Sequence, residues 1–207
     1  MILKYWFWLK KYYFIIKNEE LKLEKIRRIA FIGNYLPRLC GIATFTTDLV
    51  QSVQKSNLNI ECFTVAMNDK KEGYKYPSEV KFEINQNIFS EYYLAAEYLN
   101  FQQVDLVCLQ HEYGIFGGNE GEYILHLLRN LRMPIVSTLH TVLSNPNEKQ
   151  KKILQELSHL SSRVIVMAEK AIEFLEEIYG VNKSKIILVP HGIPDMPFVD
   201  PNFYKDQ

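Results

Sequence analysis

The sequence predicts an α/β fold: a doubly wound, mostly parallel sheet with helices on both faces. Short apolar runs alternate along the 207 residues with stretches whose apolar residues recur at helical spacing, the pattern of repeated βαβ units. The composition, 47% hydrophobic and 13% aromatic, is sufficient for a full core. Glycine and proline stand between many of the runs, where turns are expected. The length suits one domain with appendages.

Seven segments are predicted as strands. The first, residues 29–32, is wholly apolar, as expected for a parallel strand that is covered on both faces, and Gly33 ends it. The other predicted strands, in chain order, are residues 59–66, 80–84, 104–109, 135–139, 163–167 and 185–189. Residues 68–85 are polar and predict an irregular connection that contains the third strand.

Five helices are predicted between the strands. The first has Gly41 just before it and Thr44 as a candidate N-cap, with Phe45, Leu49 and Val53 spaced four residues apart on one face. The others are residues 88–101, 122–131, 147–160 and 169–179, the last of them stopped by Gly180. The predicted buried face of the second helix consists of Ile88, Tyr92, Ala95, Ala96 and Leu99.

Charge and cysteine content argue against a nucleic-acid-binding protein and against a zinc-binding or disulfide-rich one. The chain has 24 basic and 24 acidic side chains, which argues against a broad nucleic-acid-binding surface. Cys40, Cys62 and Cys108 lack the spacing of a zinc site or a disulfide framework. Reduced thiols, and hence a cytoplasmic location, are the expectation.

The first sixteen residues combine Trp, Tyr and Phe with three lysines. Their apolar run, residues 5–9, is far shorter than the roughly 20 residues of a membrane span, and no signal-peptide cleavage pattern follows. Contact of residues 1–16 with the inner face of a membrane is one interpretation. There are two other interpretations: these residues form a helix that packs on the domain, or they are an extension upstream of the true start of the protein. The predicted divisions are an extension 1–26, a domain 27–194 and a tail 195–207.

Polar residues follow the predicted strands at their carboxyl ends, where ligands bind in open parallel sheets. His111, His140 and His191 each follow a different strand, so three of the five histidines map to one edge and predict a site. Other polar residues expected at this edge are Asn34, Gln110, Glu112, Thr138, Thr141 and Asp195. His126 and His159 fall inside predicted helices, where a solvated or packed side chain is expected.

Two other chemistries are alternatives for this edge. His111, Glu112, His140 and His191 could ligate zinc if they converged, although no closely spaced ligand motif supports a metal site. A serine nucleophile lacks the GxSxG elbow.

Two glycine-containing loops are candidate binding elements. The loop before Gly41 aims helix amides at one point, as in sites for phosphate or sugar hydroxyls, yet it has neither a Walker A nor a GxGxxG pattern. A plain strand-to-helix connection is the alternative. The second loop, residues 114–121, either approaches a ligand closely or is a mobile cap of the next helix. It holds Gly114, Gly117, Gly118 and Gly121.

Five segments together make the chain resemble the N-terminal half of a family 4 glycosyltransferase of the two-domain GT-B architecture. They are NYLPRLCGIATFTTDL, LVCLQHEYGIFGGNEGEY, PIVSTLHTVL, RVIVMAEKAIEFL and KIILVPHGIPD. The resemblance covers residues 28–195, and it implies a Rossmann-like half of a GT-B fold.

The resemblance also implies a function: transfer of a sugar, with retention, from a nucleotide-sugar donor to a carbohydrate or lipid-linked acceptor, without a metal or other cofactor. His140 matches the active-site histidine that contacts the transferred sugar. Gly41 and Ile42 lie in the loop that meets the donor phosphates. His191 and Gly192 lie at the hinge to a second domain. The other expected substrate-binding residues are His111, Glu112, Gly114, Thr138 and Thr141.

The sequence ends at Gln207, where the donor-binding domain of such enzymes begins. The isolated chain is therefore expected to be inactive, or active only with a separate polypeptide that supplies the second domain. The alternative is a non-catalytic Rossmann-like module that binds a sugar or a protein. In either case an exposed apolar surface is expected where the second domain would lie. Its candidate residues are Phe116, Ile193, Met196 and Phe198, for which ordinary packing of the C-terminal tail is the alternative.

Overall fold

The computed structural model describes residues 26–56 and 59–192, and the predicted extension up to residue 25 and the tail lie outside them. Within the described residues, seven strands and five helices follow one another. The strands are Arg28–Gly33 (β1), Glu61–Asn68 (β2), Val80–Asn85 (β3), Leu106–His111 (β4), Ile135–Leu139 (β5), Arg163–Val166 (β6) and Ile186–Leu188 (β7). The helices are Gly41–Gln54 (α1), Phe89–Phe101 (α2), Tyr123–Arg129 (α3), Glu148–Leu160 (α4) and Glu169–Glu177 (α5).

All seven strands form one parallel sheet in the order β3-β2-β1-β4-β5-β6-β7. From β1 the chain first builds outward through β2 and β3, and then returns to add β4 on the other side of β1. The sheet is therefore doubly wound, as predicted, and its topological switch point lies between β1 and β4. Ligand crevices of such sheets form at this point, beyond the carboxyl ends of the strands.

The helices are divided unequally between the two faces of the sheet. Among the described residues, α1 covers one face through Leu49, Val50 and Val53, while α2 to α5 pack on the other. The cause is the connection from β2 to β3, residues 69–79, which contains no helix. Only the β1-to-β2 crossover therefore places a helix on the α1 face. None of the described helices has the length and hydropathy of a membrane span.

Two local expectations for the helices were wrong. Cys40, not Thr44, is the N-cap of α1, because the backbone amide of Thr44 already bonds to the carbonyl of Cys40 at 3.2 Å. The Cys40 thiol takes the place of the usual hydroxyl or carboxylate and accepts a hydrogen bond from the Ala43 amide at 3.4 Å. Ile88 occupies the N-cap position of α2 and is 43% exposed, so it does not belong to the buried face.

The predicted glycine stop after α5 is confirmed. Gly180 adopts a φ of +67°, and the next residue, Val181, donates its amide to the Leu175 carbonyl at 2.9 Å. This bond back over the last turn is the pattern with which a left-handed glycine closes a helix.

Candidate functional site

A glycine at the end of β1, Gly33, allows close packing at the switch point. A Cβ placed on Gly33 would lie 3.0 Å from the Cβ of Gln110 and 3.3 Å from the hydroxyl of Thr46. Gly33 therefore lets β4 and α1 approach β1 closely. As a result, the polar end of β4 and the N-terminal half of α1 border the same crevice.

His140 lies at this crevice, immediately after β5. Its Nε2 is 3.0 Å from Oε1 of Gln110, and its ring meets the ring of Phe45 edge-on with the centroids 4.8 Å apart. Its backbone amide donates to the His111 carbonyl at 3.0 Å. His140 is thus held by β4 on one side and by the first turns of α1 on the other.

The imidazole of His140 is neutral at physiological pH. Burial lowers its pKa to about 4, with a smaller contribution from the positive charge that His191 can carry. The Gln110 oxygen only accepts hydrogen bonds, so Nε2 of His140 carries the proton and Nδ1 carries the lone pair. No residue within 26–56 or 59–192 forms a hydrogen bond with Nδ1. Nδ1 is therefore available to accept a hydrogen bond from a ligand.

The three strand-end histidines converge, as the sequence predicted. The ring of His191 lies 5.5 Å from that of Phe45, on which His140 also packs. His140 is in turn close enough to His111 for its positive charge to lower the pKa of that residue.

His111 nevertheless does not line the crevice, and this expectation needs correction. Its side chain is fully buried, with its ring 5.0 Å from that of Tyr113 and 5.9 Å from that of Phe116. Neither ring nitrogen has a hydrogen-bond partner, and burial lowers the pKa to about 3. Alternation along β4 turns His111 towards the α2–α5 face, opposite to Gln110.

Phe116 was expected on an exposed surface and is in fact 4% exposed, because it stacks on the ring of His111. The other three residues proposed for that surface, Ile193, Met196 and Phe198, lie outside the described residues.

Glu112 and Thr141 join the ends of β4 and β5. Oε1 of Glu112 accepts the Tyr113 amide at 3.0 Å, and its Oε2 accepts a short hydrogen bond from the Thr141 hydroxyl. Thr138 is fully buried inside β5, in register with Gln110. Thr138 thus forms part of the frame of the site, whereas Glu112 and Thr141 are both partly exposed at its edge.

The zinc alternative finds no support in this arrangement. Across the described ranges, no group of three or more His, Cys, Asp or Glu side chains is placed to hold a metal ion. The reason lies in two members of the suggested set: His111 is enclosed by aromatic rings, and both carboxylate oxygens of Glu112 already accept hydrogen bonds.

The N-terminus of α1 faces the crevice with free backbone donors. The amide of Thr44 makes the first bond back to Cys40, so no carbonyl within the helix reaches the amides of Gly41 and Ile42. Gly41 is exposed, and a Cβ there would meet no atom within 4 Å. These amides and the positive end of the helix dipole suit an anionic or hydroxyl-rich ligand.

The glycine-rich loop, residues 114–121, is a packed turn, which neither interpretation of the sequence anticipated. A Cβ on Gly117 would lie 1.7 Å from the Gln86 carbonyl oxygen, and Gly118 and Gly121 have φ values of +83° and +79°. Three of its four glycines are therefore required by the fold itself. Gly114, which is exposed, is the one glycine of the four with open space around it.

Sequence reasoning missed Phe45 and Cys40 as parts of the site. Phe45 was assigned to the apolar stripe of α1, and its position one turn after Gly41 was the available signal. Cys40 accepts hydrogen bonds from the Asn34 amide group at 3.2 Å and from Ala43, and so fixes the end of β1 to the start of α1. His191 and Gly192 are exposed at the end of the described chain.

Comparisons with known proteins agree with this fold. The structure is similar to the apo form of WaaB, a lipopolysaccharide outer core galactosyltransferase, with 15% identity and a TM-score of 0.59 over 80% of this chain and 46% of that one. It is also similar to a glycosyltransferase from Rickettsia africae ESF-5, with 15% identity and a TM-score of 0.57 over 87% of this chain and 48% of that one. The chain thus spans about half the length of each solved structure.

Comparison with curated protein sequences gives no match. The two solved structures, at their low identity, establish the fold, which is the Rossmann-like half of a GT-B glycosyltransferase. The family model of Glycosyltransferase Family 4 matches residues 40–195, which is most of the chain and includes His140 and the N-terminus of α1. The chain therefore belongs to Glycosyltransferase Family 4.

Proposed function

We propose that the chain is the acceptor-side domain of a glycosyltransferase that uses a nucleotide-sugar donor and retains the configuration of the sugar. The observation that carries the proposal is the position of His140. It stands at the switch-point crevice, bonded to Gln110 and packed on Phe45, beside the N-terminus of α1. A neutral imidazole with a free Nδ1 can accept a hydrogen bond from a hydroxyl of the transferred sugar.

The neighbouring residues suit the other parts of the ligands. The amides of Gly41 and Ile42 and the helix dipole suit the donor diphosphate. Gly114 and Thr141 are accessible at the edge of the crevice and are proposed to contact the acceptor. Three further residues of the same edge are proposed to position them: His111 and Thr138, which are buried, and Glu112, which is hydrogen-bonded to Thr141.

A complete reaction needs a second domain on the other side of the crevice. As the bond from the sugar to the diphosphate breaks and the bond to the acceptor oxygen forms, negative charge grows on the leaving diphosphate, which can take up the proton that the acceptor hydroxyl loses. Fixed donors around a cleft closed to water stabilise that charge. We propose that a second domain supplies the missing donors, with His191 and Gly192 at the hinge or junction, and that no metal cofactor is needed, as the resemblance implies.

Calorimetry and a transfer assay test the proposal directly. UDP-glucose and GDP-mannose would be titrated into the chain alone, and then into its mixture with a neighbouring-gene product that carries a second Rossmann-like domain. We expect calorimetric binding and turnover in the mixture, lost in His140→Ala and retained in His126→Ala, which alters an exposed histidine of α3.

Two results would contradict the proposal. Absence of binding in both settings would indicate a non-catalytic module. Turnover by the chain alone, above the level of His140→Ala, would show that no second domain is required.

A further inference from the structure

The outer side of α2 is unusually apolar for an exposed surface. The described residues contain six exposed large apolar side chains, and five of them belong to α2 or to its N-cap. We call these five residues the outer face of α2: Ile88, Phe89, Tyr93, Leu94 and Phe101. The opposite side of α2 is fully buried against the sheet. A helix with large apolar side chains on both its inner and its outer side is normally covered on both, and an exposed apolar patch of this size marks a contact.

The chain enters the described domain beside this face. Arg28, the first residue of β1, donates from Nη1 to the carbonyl of Gln102 at 2.6 Å, and Gln102 directly follows α2. The amides of Arg27 and Arg28 are fixed on Asp105 at 2.8 and 2.9 Å. The first described residues therefore lie at the end of α2 that carries Phe101, which is 83% exposed.

Chain length allows the first residues to reach the whole face. Residues 17–25 can span up to about 30 Å when extended. A helix of the length of α2 is only about 20 Å long. Residues 1–16 can therefore lie anywhere along α2.

Charge favours the chain's own N-terminal segment as the occupant. Residues 1–16 contain Lys4, Lys10 and Lys11 and no acidic residue, whereas α2 contains Glu91 and Glu97 and no basic residue. The Glu91 carboxylate accepts the Asn85 amide at 2.5 Å, but Glu97 is exposed, one turn from both Tyr93 and Phe101. An anionic lipid surface would meet like charge at Glu97, and lysines would meet opposite charge.

We propose that residues 1–16 dock on the outer face of α2 within the same molecule. Their aromatic side chains cover Tyr93, Leu94 and Phe101, and their lysines lie near Glu97. The segment then completes the helix layer on this face of the sheet and does not serve as a membrane anchor.

Tryptophan fluorescence of the full chain reports on the surroundings of residues 1–16 alone, since Trp6 and Trp8 are the only tryptophans among the 207 residues. We expect emission at a shorter wavelength than that of a solvent-exposed indole, without any dependence on protein concentration. Combined Leu94→Ser and Phe101→Ser should move the emission to longer wavelength and increase its quenching by acrylamide. Glu97→Lys should have a smaller effect in the same direction.

Matched controls alter the same residue types elsewhere. Leu39→Ser changes the sixth exposed apolar residue, and Glu177→Lys changes an exposed glutamate of α5. Both should leave the emission unchanged, and circular dichroism should show that every variant keeps its fold.

Four results would overturn the proposal. The first two are solvent-exposed emission in the unaltered chain and unchanged emission in the double variant. Short-wavelength emission that requires phosphatidylglycerol–phosphatidylcholine vesicles would assign residues 1–16 to a membrane surface. Emission that shifts only as the protein concentration rises would assign the outer face to a second copy.

Discussion

Gln110 and His140 form a hydrogen bond of 3.0 Å between the ends of two adjacent strands, β4 and β5. This bond fixes both the orientation of the imidazole and the nitrogen that carries its proton. The second amide atom of Gln110, Nε2, is buried without a partner. Among the described residues, the hydrogen bond to His140 is therefore the only one that the side chain of Gln110 makes.

Replacement of Gln110 by methionine should remove the preference of His140 for the tautomer that is protonated at Nε2. We expect ¹⁵N NMR to show the Nε2-protonated form in the unaltered chain and a mixture of both tautomers in Gln110→Met, because the acceptor for Nε2 is lost. The stability cost should be only about 1 kcal/mol, typical of one hydrogen bond. His126 serves as an internal reference. A predominantly Nδ1-protonated His140 in the unaltered chain would contradict the assignment.

Two glycines of one loop should respond oppositely to alanine. Gly117→Ala places a methyl group 1.7 Å from the Gln86 carbonyl oxygen, a backbone atom, and we expect a loss of about 3 kcal/mol in the free energy of unfolding. Gly114→Ala, with open space around it, should stay within about 0.5 kcal/mol of the original. Urea unfolding measures both. Equal effects would show that the loop is not packed as described.

Lys185 should contribute to stability as a cap of α4. Its ammonium group donates to the carbonyls of Ser158, His159 and Ser161 at 3.1, 3.0 and 2.9 Å, at the C-terminus of the helix. We expect Lys185→Met to cost about 1–2 kcal/mol, since these carbonyls lose a charged donor. Thermal melting compares it with Lys183→Met, at an exposed lysine whose nearest carboxylate oxygen is 3.6 Å away. That change should cost less than about 0.5 kcal/mol.

The buried histidine His111 should make the protein less stable in acid. Its folded pKa of about 3 lies below the ordinary value of 6.5, so the unfolded chain binds a proton that the folded chain refuses. The free energy of unfolding therefore falls as the pH drops from 6.5, by up to about 1.4 kcal/mol per pH unit.

The variant His111→Leu isolates this effect. Between pH 7 and pH 5, its loss of unfolding free energy should be smaller than that of the unaltered chain by about 2 kcal/mol. Urea titrations at the two pH values measure the difference. His159→Gln, at an exposed histidine of α4, should behave like the unaltered chain, and an identical pH dependence in His111→Leu would refute the explanation.

The local sequence pattern was sufficient for most of the fold. The predicted and observed bounds of β5 coincide, and those of β1 and β3 differ by a residue at one or both ends. Apolar runs and helical spacing act within a few residues, so they can be recognised without knowledge of the tertiary structure. The grouping of His111, His140 and His191 at one edge followed from the parallel topology alone.

The face on which a side chain lies was harder to predict. β4 is buried on both sides, and a run such as VDLVCL shows no alternation of polarity from which the direction of His111 could be inferred. The burial of Phe116 depends on that direction, because its ring stacks on His111. The Cys40 cap was missed because thiols are uncommon in that position, while Thr44 fitted the usual preference.

The position of His140 in a sugar-nucleotide site can be tested most directly by NMR of the histidine rings in the full chain. UDP-glucose and GDP-mannose would be added up to millimolar concentration, since a single wall of the cleft is expected to bind weakly. We predict saturable shifts of the His140 resonances for at least one of the two ligands, while His126 and His159 stay unchanged. His140 resonances that stay unchanged with both ligands, in the chain alone and in its mixture with a second-domain polypeptide, or shifts confined to His126 and His159, would contradict a role for this crevice in glycosyl transfer.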